Sequence, residues 1–393
     1  MSKFVTLNGN QTIGEAARQI DPDVIAAYPI TPSTAIVETI AKFKADGLIS
    51  GEFVCPESEH SAMSLCIGAA SAGGRVMTAT ASQGLALMWE MLYIAAGLRL
   101  PIVAAIANRS LSAPINIHGD HSDTMGARDS GWIQIYSENC QEAYDNFIQA
   151  FRIAEHLDVR TPVLVGLDGF IISHSMEVIQ VEDDAEVKKF IGEYKSLYPL
   201  LDSKVKMTVG PIDFTDYYFE HKRNQLEGIE NAPQVIEEVG KEFGKKFGRE
   251  YGFFEGYRLD DAELCIVAMS SAAGTCKDAI DELRSEGKRV GLLKPRIFRP
   301  FPHQRISEAL IKMKAVAVLD RSSSPGAFGA PLFTEIRSAL YDYEERPKIT
   351  NYVYGLGGRD IKIEHFKEVT DDLEKIAETG KVEKVYSYIN LRE

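Results

Sequence analysis

Short apolar runs alternate with longer amphipathic segments through the first half of the chain. Five apolar runs predict β-strands: Val24–Ile30, Glu52–Cys55, Arg75–Ala81, Pro101–Asn108 and Pro162–Leu167. The segments between them have the apolar spacing of helices: Thr34–Asp46, His60–Ala70, Ala86–Ala96 and Gln141–His156. Apolar strands that alternate with helices are typical of a parallel sheet covered on both sides. The pattern therefore predicts an α/β domain.

The same alternation returns near the end of the chain, after a less regular middle. Strands are predicted at Glu263–Met269, Arg289–Leu293, Ala315–Leu319 and Ile349–Tyr354, and helices at Lys277–Glu286, Pro302–Met313, within Gly326–Leu340 and from about Ile363. The middle, about Ser173–Asp260, has acidic and aromatic runs and one polar helix around Ala232–Phe247. We therefore expect an α/β domain at residues 1–230, a helical linker at residues 231–258 and a smaller α/β domain at residues 259–393.

A capping box predicts where the first helix begins. Thr12 is followed three residues later by Glu15, which is the spacing at which two side chains can satisfy each other's backbone N–H groups. The helix should then open at Thr12 and run through Ile20.

Composition and charge narrow the class of protein. The 393 residues include 43 Lys and Arg against 57 Asp and Glu, which is a formal net charge of −14. Binding of nucleic acid or of an anionic membrane needs clustered Lys and Arg, so neither partner is expected. The N-terminal residues lack the apolar core of a signal peptide, and the apolar stretch Met88–Leu98 contains Glu90 and is too short to span a membrane. These features predict a cytoplasmic protein.

The cysteines do not have the spacing of a metal or cluster site. Cys55, Cys66, Cys140, Cys265 and Cys276 are far apart, and no two of them form a C-x-x-C pair. This spacing excludes zinc ribbons and ordinary iron–sulfur motifs. Their apolar surroundings predict reduced, buried thiols. If the protein handles electrons, the clusters should lie on another chain.

Chemically versatile side chains follow each of the five predicted strands of the first domain. The turns after these strands carry hydroxyls, carboxylates, amides and a guanidinium: Tyr28–Ser33, Pro56–His60, Thr80–Gly84, Asn108–Ser110 and Asp168–Gly169. In open α/β sheets, ligands bind outside the carboxyl ends of the strands. Each turn alone has a structural explanation, such as Ser58 as a helix N-cap. Their coincidence at one edge of the sheet predicts a binding site.

Several motifs together resemble the pyruvate:ferredoxin oxidoreductase (2-oxoacid:ferredoxin oxidoreductase) family, and in particular the separate α subunit of its multi-subunit members. In the first domain they are YPITPST (Tyr28–Thr34), ESEHSA (Glu57–Ala62), TASQGL (Thr80–Leu85), ANRSLSAPINIHGDHSD (Ala107–Asp123) and RDSGWIQ (Arg128–Gln134). In the second domain they are KPRIFRPFP (Lys294–Pro302) and GLGGRD (Gly355–Asp360). The resemblance implies a pyrimidine-type thiamine-diphosphate-binding domain with a parallel sheet, followed by a smaller transketolase C-terminal-like α/β domain.

The second domain has two glycine-containing turns that invite comparison with nucleotide sites. Ser270–Thr275 lacks the Gly-Lys pair of a phosphate-binding loop, and Gly355–Gly358 lacks the spacing of a dinucleotide fingerprint. We therefore expect both to be structural turns, in a domain that is mainly architectural.

The resemblance also implies roles for individual residues around a shared thiamine diphosphate. Glu59 matches the family's activating glutamate, which hydrogen-bonds the pyrimidine ring and stabilises its imino tautomer. Arg109 and Thr31 match ligands of the substrate, whose planar carboxylate suits the forked donor of an arginine. The residues expected to shape the cofactor pocket are Tyr28, Pro29, Ser82 and Gln83. Judged alone, Glu59 could instead be a first-turn acid that the helix dipole favours.

The run His118–Asp123 allows two interpretations. Its residue types could hold a metal ion. The family pattern instead implies a loop near the substrate, which makes His121 and Asp123 further candidates for substrate contact. We prefer the loop and expect no metal site on this chain.

Half of the expected cofactor site has no counterpart in the sequence. Thiamine enzymes hold magnesium and the diphosphate with a Gly-Asp-Gly turn, and no such turn occurs here. We therefore expect Mg2+, [4Fe-4S] clusters, the diphosphate-binding domain and the coenzyme A-related domain on partner subunits, with ferredoxin as electron acceptor. The complex should convert pyruvate and coenzyme A to acetyl-CoA, CO2 and reduced ferredoxin.

Three alternatives stay open at this point. The same scaffold serves other 2-oxoacids in the family, such as branched-chain 2-oxoacids or oxalate. A thiamine-dependent transferase or dehydrogenase subunit would need no iron–sulfur partner. A non-catalytic scaffold would keep the fold alone, although the joint presence of Thr31, Glu59 and Arg109 argues against it.

Overall fold

The computed structural model describes residues 2–204 and 206–392. The strands, in chain order, are β1 Lys3–Asn8, β2 Val24–Ala26, β3 Glu52–Val54, β4 Val76–Thr80, β5 Ile102–Asn108, β6 Ile133–Tyr136, β7 Val163–Asp168, β8 Met176–Val181, β9 Phe254–Tyr257, β10 Leu264–Val267, β11 Val290–Pro295, β12 Ile297–Arg299, β13 Ala315–Asp320, β14 Lys348–Val353 and β15 Tyr386–Tyr388. The helices are α1 Gly9–Ile20, α2 Thr34–Ala45, α3 Glu59–Ala72, α4 Ser82–Leu87, α5 Trp89–Gly97, α6 Ser122–Gly126, α7 Cys140–Glu155, α8 Ile171–His174, α9 Asp184–Ile191, α10 Tyr218–Phe247, α11 Ala272–Ser285, α12 His303–Leu310, α13 Pro331–Leu340 and α14 Ile363–Thr379, and Leu356–Gly358 forms a 3-10 turn.

The apolar runs of the first half of the chain form a seven-stranded sheet in the order β12-β6-β7-β5-β4-β2-β3. All neighbouring pairs are parallel except the edge pair of β12 and β6. Side chains of α1, α2, α7 and α10 cover one face, and those of α3, α4 and α5 cover the other. Every residue of the central strands β4, β5 and β7 is buried, which explains why these strands are apolar throughout.

A second sheet, in the order β15-β14-β13-β10-β11-β9, forms the C-terminal part of the molecule. Only β9 is antiparallel to its neighbour. Helices α11 and α14 cover one face, and α12 and α13 cover the other. Met125 and Tyr136, from the region of the first sheet, are part of the apolar cluster on the second face. The two sheets therefore share a continuous core.

Most of the predicted elements form at the predicted places. The five strands predicted for the first domain correspond to β2, β3, β4, β5 and β7. The helix predicted at Ala86–Ala96 is wrong in its bounds, because α4 and α5 meet at Met88 instead of forming one helix. The predicted N-terminal capping box is also wrong. Asn8 caps α1 through a reciprocal pair of bonds with Gln11, and Thr12 is buried inside the helix.

The middle of the chain is more ordered than its sequence pattern indicated. Helix α10 runs without a break from Tyr218 to Phe247 and so crosses the expected boundary at residue 230. Strand β9 lies within the segment expected to be a linker, and β12 crosses over to form the edge of the first sheet. Four cysteines are buried as predicted, whereas Cys55 is exposed at the end of β3, so that part of the prediction is wrong. In the described ranges, no helix has both the length and the apolar character needed to cross a membrane.

A buried charged cluster joins the two sheets. Asp168 ends β7 and is fully buried; one of its carboxylate oxygens lies 2.7 Å from His121 Nε2, and the other accepts from Arg321 Nη1 at 2.8 Å. The second oxygen also accepts from the backbone N–H and the hydroxyl of Ser271. Burial alone would raise the pKa of Asp168, but Arg321 and His121 outweigh it and hold that pKa well below its usual range. The carboxylate is therefore ionised and tied to both sheets.

We expect Asp168→Asn to lower the free energy of unfolding by roughly 3–5 kcal/mol at neutral pH, because it leaves Arg321 buried without its counter-ion. Denaturant unfolding measures the loss. In the unmodified protein, the stability that this carboxylate contributes should be present above pH 3.8, the ordinary aspartate pKa, and fade as pH falls below that value. The variant should lack this component of the acid dependence.

Asp281→Asn is the matched control, because Asp281 forms an exposed ion pair with Arg258. Its unfolding curve should stay close to that of the unmodified protein. If Asp168→Asn unfolds at the same denaturant concentration as Asp281→Asn, the buried cluster does not stabilise the contact between the sheets.

Candidate functional site

The polar turns predicted from the sequence meet at one edge of the first sheet. They follow β2, β3, β4, β5 and β7, which are five adjacent parallel strands in the order β7-β5-β4-β2-β3. Parallel neighbours end at the same edge, so all five turns reach the position where α/β sheets bind ligands. The sequence predicted that these turns meet at one edge of the sheet, and the observed strand order confirms that prediction.

Glu59 is the first residue of α3 and is only 6% exposed. The residue before it, Ser58, caps the helix by accepting from Ser61 N–H at 3.2 Å, so the structural role considered for Ser58 is confirmed. Within residues 2–204 and 206–392, the Glu59 carboxylate has no hydrogen-bond or ion-pair partner. The residue is mostly buried, but its carboxylate oxygens are not sealed from solvent. The carboxylate is therefore available to accept a hydrogen bond from a ligand.

A glycine and a threonine share the space beside Glu59. A Cβ atom added to Gly84 would lie 2.7 Å from Glu59 Oε1 and 2.3 Å from Thr80 Oγ1. Any larger residue at this position of α4 would therefore displace the carboxylate. The Thr80 hydroxyl is fully buried and has no hydrogen-bond partner. Two polar groups without a partner in the described chain therefore lie around one glycine, at the edge of the sheet where ligands bind.

Arg109 follows β5 and is 6% exposed. Its Nε donates to the backbone oxygen of Asn116 at 3.0 Å, and its Nη1 donates to the backbone oxygen of Thr31 at 3.0 Å. No partner is found for Nη2 in the part of the chain that the structure describes. Two bonds therefore fix the plane of the guanidinium and leave donors for an anionic ligand. Thr31 itself is exposed and contacts Arg109 through its backbone.

The four residues expected to shape the pocket fall into two groups. Tyr28 and Pro29 are exposed at the end of β2. Ser82 is buried with a φ of +46°, and its hydroxyl lies 2.6 Å from the backbone oxygen of Ser110 and from Gln83 Oε1. Ser82 therefore links the turn that follows β4 to the loop that follows β5. Gln83 is half-buried beside it. Contact of these residues with a cofactor stays a prediction.

Two residues of the His118–Asp123 run are occupied by the protein itself. His121 is bound to Asp168, as described above. Asp123 accepts from the backbone N–H groups of Ser82 at 3.0 Å and Arg109 at 2.9 Å, and from the side chain of Asn108 at 2.9 Å. Burial raises the pKa of Asp123 despite these bonds, which lower it. Asp123 therefore holds the ends of β4 and β5 together, and direct contact of His121 or Asp123 with the substrate stays a prediction.

A cluster of three carboxylates lies elsewhere, at the contact between the two sheets. Glu138, Glu142 and Glu255 are close enough to share a cation. The buried Lys294 Nζ lies among them at 2.6, 2.5 and 2.8 Å, and Lys277 contacts the same group. Burial lowers the pKa of Lys294, but Glu142 and Glu138 outweigh it and raise that pKa. Two ammonium groups therefore offset most of the charge of the three carboxylates and occupy the position that a cation would take.

Sequence reasoning missed several residues of this region. Thr80 was included in a polar turn and a motif but given no role of its own, and Asn116 and Arg321 were not singled out. Arg321 follows β13 directly, as Arg109 follows β5. In the first domain, the polar residues that directly follow predicted strands indicated the site, and we call this pattern the strand-end criterion. The same search in the second domain would have found Arg321. The interaction of Asn116 with Arg109 uses its backbone oxygen, and a sequence pattern carries no signal for such a contact.

Residues 15–241 match the family model described as pyruvate flavodoxin/ferredoxin oxidoreductase, thiamine diphosphate-binding. Residues 262–366 match the model for pyruvate:ferredoxin oxidoreductase core domain II.

Two relatives match almost over their whole length. The pyruvate synthase subunit PorA of Thermotoga maritima is 56% identical, with 94% of each chain covered. The ketoisovalerate oxidoreductase subunit VorA of Pyrococcus abyssi is 42% identical, with 98% of this chain and 97% of the relative covered.

A solved structure of 2-oxoglutarate:ferredoxin oxidoreductase from Magnetococcus marinus has the same fold, with a TM-score of 0.74 and 19% identity. The match covers 95% of this chain and 65% of that longer chain. Together with the family models, this likeness confirms the predicted fold class, a thiamine-diphosphate-binding domain followed by a transketolase C-terminal-like domain. The chain belongs to the pyruvate flavodoxin/ferredoxin oxidoreductase family.

Proposed function

We propose that this chain is the α subunit of a multi-subunit pyruvate:ferredoxin oxidoreductase, which converts pyruvate and coenzyme A to acetyl-CoA, CO2 and reduced ferredoxin. The observation that carries the proposal is the position of Glu59, a mostly buried residue whose carboxylate has no partner in the described chain and lies against Gly84 at the ligand-binding edge of the sheet. The high identity to a pyruvate synthase subunit supports pyruvate as the substrate.

The residues around Glu59 fit the pyrimidine ring of thiamine diphosphate. When bound, this cofactor supplies the carbon nucleophile that attacks the 2-oxo group and takes up the electrons released as CO2 leaves. The carboxylate of Glu59 would accept a hydrogen bond from the ring nitrogen and hold the proton that interconverts the ring tautomers. Gly84 leaves the space for that contact, and the unpartnered Thr80 hydroxyl lies in the same space.

Arg109 would bind the carboxylate of the 2-oxoacid. Its guanidinium is held in one plane by Asn116 and Thr31, so its free donors are oriented before the substrate arrives. Pre-orientation reduces the ordering that substrate binding must impose. Because the substrate loses its charge when CO2 leaves, this contact should act mainly in binding and orienting the 2-oxoacid before decarboxylation.

The remaining components of the reaction would come from partner subunits. The sequence has no Gly-Asp-Gly turn for the magnesium–diphosphate group, and its cysteines are not grouped as cluster ligands. We infer that partners carry the diphosphate-binding domain, Mg2+, the coenzyme A-related domain and the [4Fe-4S] clusters. Ferredoxin would accept the electrons in the cytoplasm.

A second candidate differs only in the 2-oxoacid. The 42% identity to a ketoisovalerate oxidoreductase subunit supports a branched-chain substrate, although pyruvate synthase subunits are more similar. A panel of 2-oxoacids assayed on the native complex, with coenzyme A and a viologen acceptor, separates the two. Pyruvate should give the highest kcat/KM, and a higher value for 2-oxoisovalerate would overturn the choice of pyruvate.

The substitution Glu59→Gln keeps the size of the side chain but cannot hold the proton. Folding and assembly should be preserved. Hydrogen–deuterium exchange at C2 of the bound thiazolium ring should slow by about two orders of magnitude or more, which is the range for losing a positioned acid–base group. NMR after acid quenching measures this exchange without substrate or electron acceptor.

Glu57→Gln is the control in the same motif, because Glu57 is exposed and its carboxylate accepts from Ser61. Its exchange rate should equal that of the unmodified complex. If Glu59→Gln also exchanges at the unmodified rate, Glu59 is only a helix-start acid and its assignment is wrong.

The substitution Arg109→Ala tests the substrate contact. Removal of one charge-assisted contact should reduce kcat/KM for pyruvate by an amount equivalent to roughly 2–4 kcal/mol of transition-state stabilisation. Cofactor occupancy should stay unchanged, because Arg109 is assigned to the substrate alone. Steady-state kinetics and thiamine diphosphate content measure the two effects, and Arg346→Ala, an exposed arginine of the second domain, is the control. Loss of cofactor with normal kinetics in the residual holoenzyme would contradict the assignment.

The chain without its partners should bind thiamine diphosphate weakly and decarboxylate no 2-oxoacid, because it holds only the pyrimidine half of the site. Titration calorimetry and a CO2-release assay test this, and addition of the partner subunits should restore both properties. Rapid decarboxylation by the isolated, cluster-free chain would contradict the shared site.

A further inference from the structure

The loop between β5 and α6 is held by the glycine turn of the second domain. Asn116, near the tip of this loop, donates from Nδ2 to the backbone oxygen of Gly357 at 3.1 Å. The N–H of the same glycine donates to Asp120 Oδ2 at 3.1 Å. Both polar backbone groups of Gly357 are therefore used by one loop of the first domain.

The close approach of the two segments requires glycine. Gly357 and Gly358 have φ values of +63° and +81°, which residues with a side chain rarely adopt. A Cβ atom on Gly357 would lie 2.4 Å from Asn116 Nδ2, and one on Gly358 would lie 2.4 Å from His118 Cβ. The turn, expected from its sequence to be merely structural, therefore forms a surface that fits this loop.

Asn116 connects that surface to Arg109. The backbone oxygen of Asn116 accepts from Arg109 Nε at 3.0 Å, and its Oδ1 accepts from the His118 N–H at 2.7 Å. The backbone oxygen of His118 in turn accepts from the Ser110 N–H at 3.1 Å, next to Arg109. The backbone of Asn116 is thus fixed by its own side chain, and one of the two described bonds that orient the guanidinium depends on it.

We propose that Asn116 is a positioning residue, and that the second domain controls the affinity for the 2-oxoacid through the contacts from Gly357 to Asn116 and from Asn116 to Arg109. The proposal rests on the function proposed above for Arg109, the substrate ligand. It gives the second domain a part in substrate binding. A shift of the glycine turn would move the carbonyl that holds Arg109 and so misalign the donors that remain for the substrate.

A purely structural role for Asn116 is the competing explanation. The same loop has a second anchor on the second domain, since the His121 N–H donates to the backbone oxygen of Arg321 at 2.8 Å. The loop can therefore stay in place without Asn116. If Asn116 only stabilised the loop, its loss would reduce stability or assembly but would not change substrate binding through Arg109.

Asn116→Asp tests the proposal with little change in size. Aspartate keeps the acceptor for the His118 N–H, loses the donor to Gly357, and places a carboxylate against that carbonyl. We expect the KM for pyruvate to rise at least about tenfold, with a smaller change in kcat, because small displacements of a positioning group have effects of this size. Hydrogen–deuterium exchange at C2 of the cofactor should be unchanged, because it reports Glu59 and not Arg109. Binding of oxamate, an unreactive analogue of pyruvate, should weaken in parallel.

Gly357→Ala is a second variant, which disturbs the turn from the other side. Its control is Gly380→Ala, at a glycine of the same domain with a φ of +67° and no atom within 4 Å of an added Cβ. Both substitutions impose the same kind of backbone strain, but only the methyl group of Gly357→Ala would overlap with Asn116. The KM for pyruvate should therefore rise in Gly357→Ala and stay unchanged in Gly380→Ala. Equal KM values in these two variants would overturn the proposal.

A double-mutant cycle determines whether Asn116 acts through Arg109. In the Arg109→Ala background, Asn116→Asp should change the KM for pyruvate and the affinity for oxamate by less than twofold, because the residue it positions is gone. An undiminished effect in that background would overturn the proposal. If Arg109→Ala alone left both quantities unchanged, the proposed function of Arg109 would fail. If Arg109→Ala impaired binding and Asn116→Asp did not, only the positioning role would fail.

Discussion

The buried carboxylate of Asp168 is the constraint on which the geometry of the site depends. It ends the strand next to β5 and is held between His121 of the first domain and Arg321 of the second. An ionised group at this depth is tolerated only because two basic groups and the Ser271 N–H surround it. The loop that begins at Arg109 is therefore anchored to the second domain next to the carboxyl end of β7.

The buried polar side chains at this edge of the sheet differ in how many hydrogen-bond partners the protein provides for them. Asp123 and Asp168 are buried with several partners and hold backbone segments together. Glu59 is buried with none in the described chain, and the Thr80 hydroxyl beside it also lacks a partner. A ligand that binds at this edge of the sheet can supply hydrogen bonds to both groups. Asp123 and Asp168 therefore hold the site together, whereas Glu59 and Thr80 are available to a cofactor.

The fold and the location of the site were predictable because they follow from local patterns. Apolar runs predicted the central strands, and parallel pairing then placed their polar ends at one edge. The N-terminal cap was mispredicted because Asn8 with Gln11 offers the same kind of capping signal four positions before Thr12. Strand β12 was missed because it pairs with β6, which lies more than 150 positions earlier in the chain, and no local pattern signals that pairing.

Contacts between the domains could not be predicted, because they join residues that no local pattern relates. Asn116 and Gly357 are 241 positions apart, and each looks like an ordinary loop residue. The strand-end criterion could have found Arg321, but not its pairing with Asp168 across 153 positions. The parts of the site that depend on the second domain are therefore visible only in the folded structure.

The central claim is that the unpartnered carboxylate of Glu59 forms a hydrogen bond with the pyrimidine ring of thiamine diphosphate. The most direct test is the 15N NMR spectrum of the assembled complex, loaded with cofactor labelled at N1′ of that ring. A hydrogen bond to Glu59 should move the N1′ resonance well upfield of its position in free cofactor at the same pH, towards that of the protonated ring. An N1′ resonance at the position of free cofactor would contradict the account.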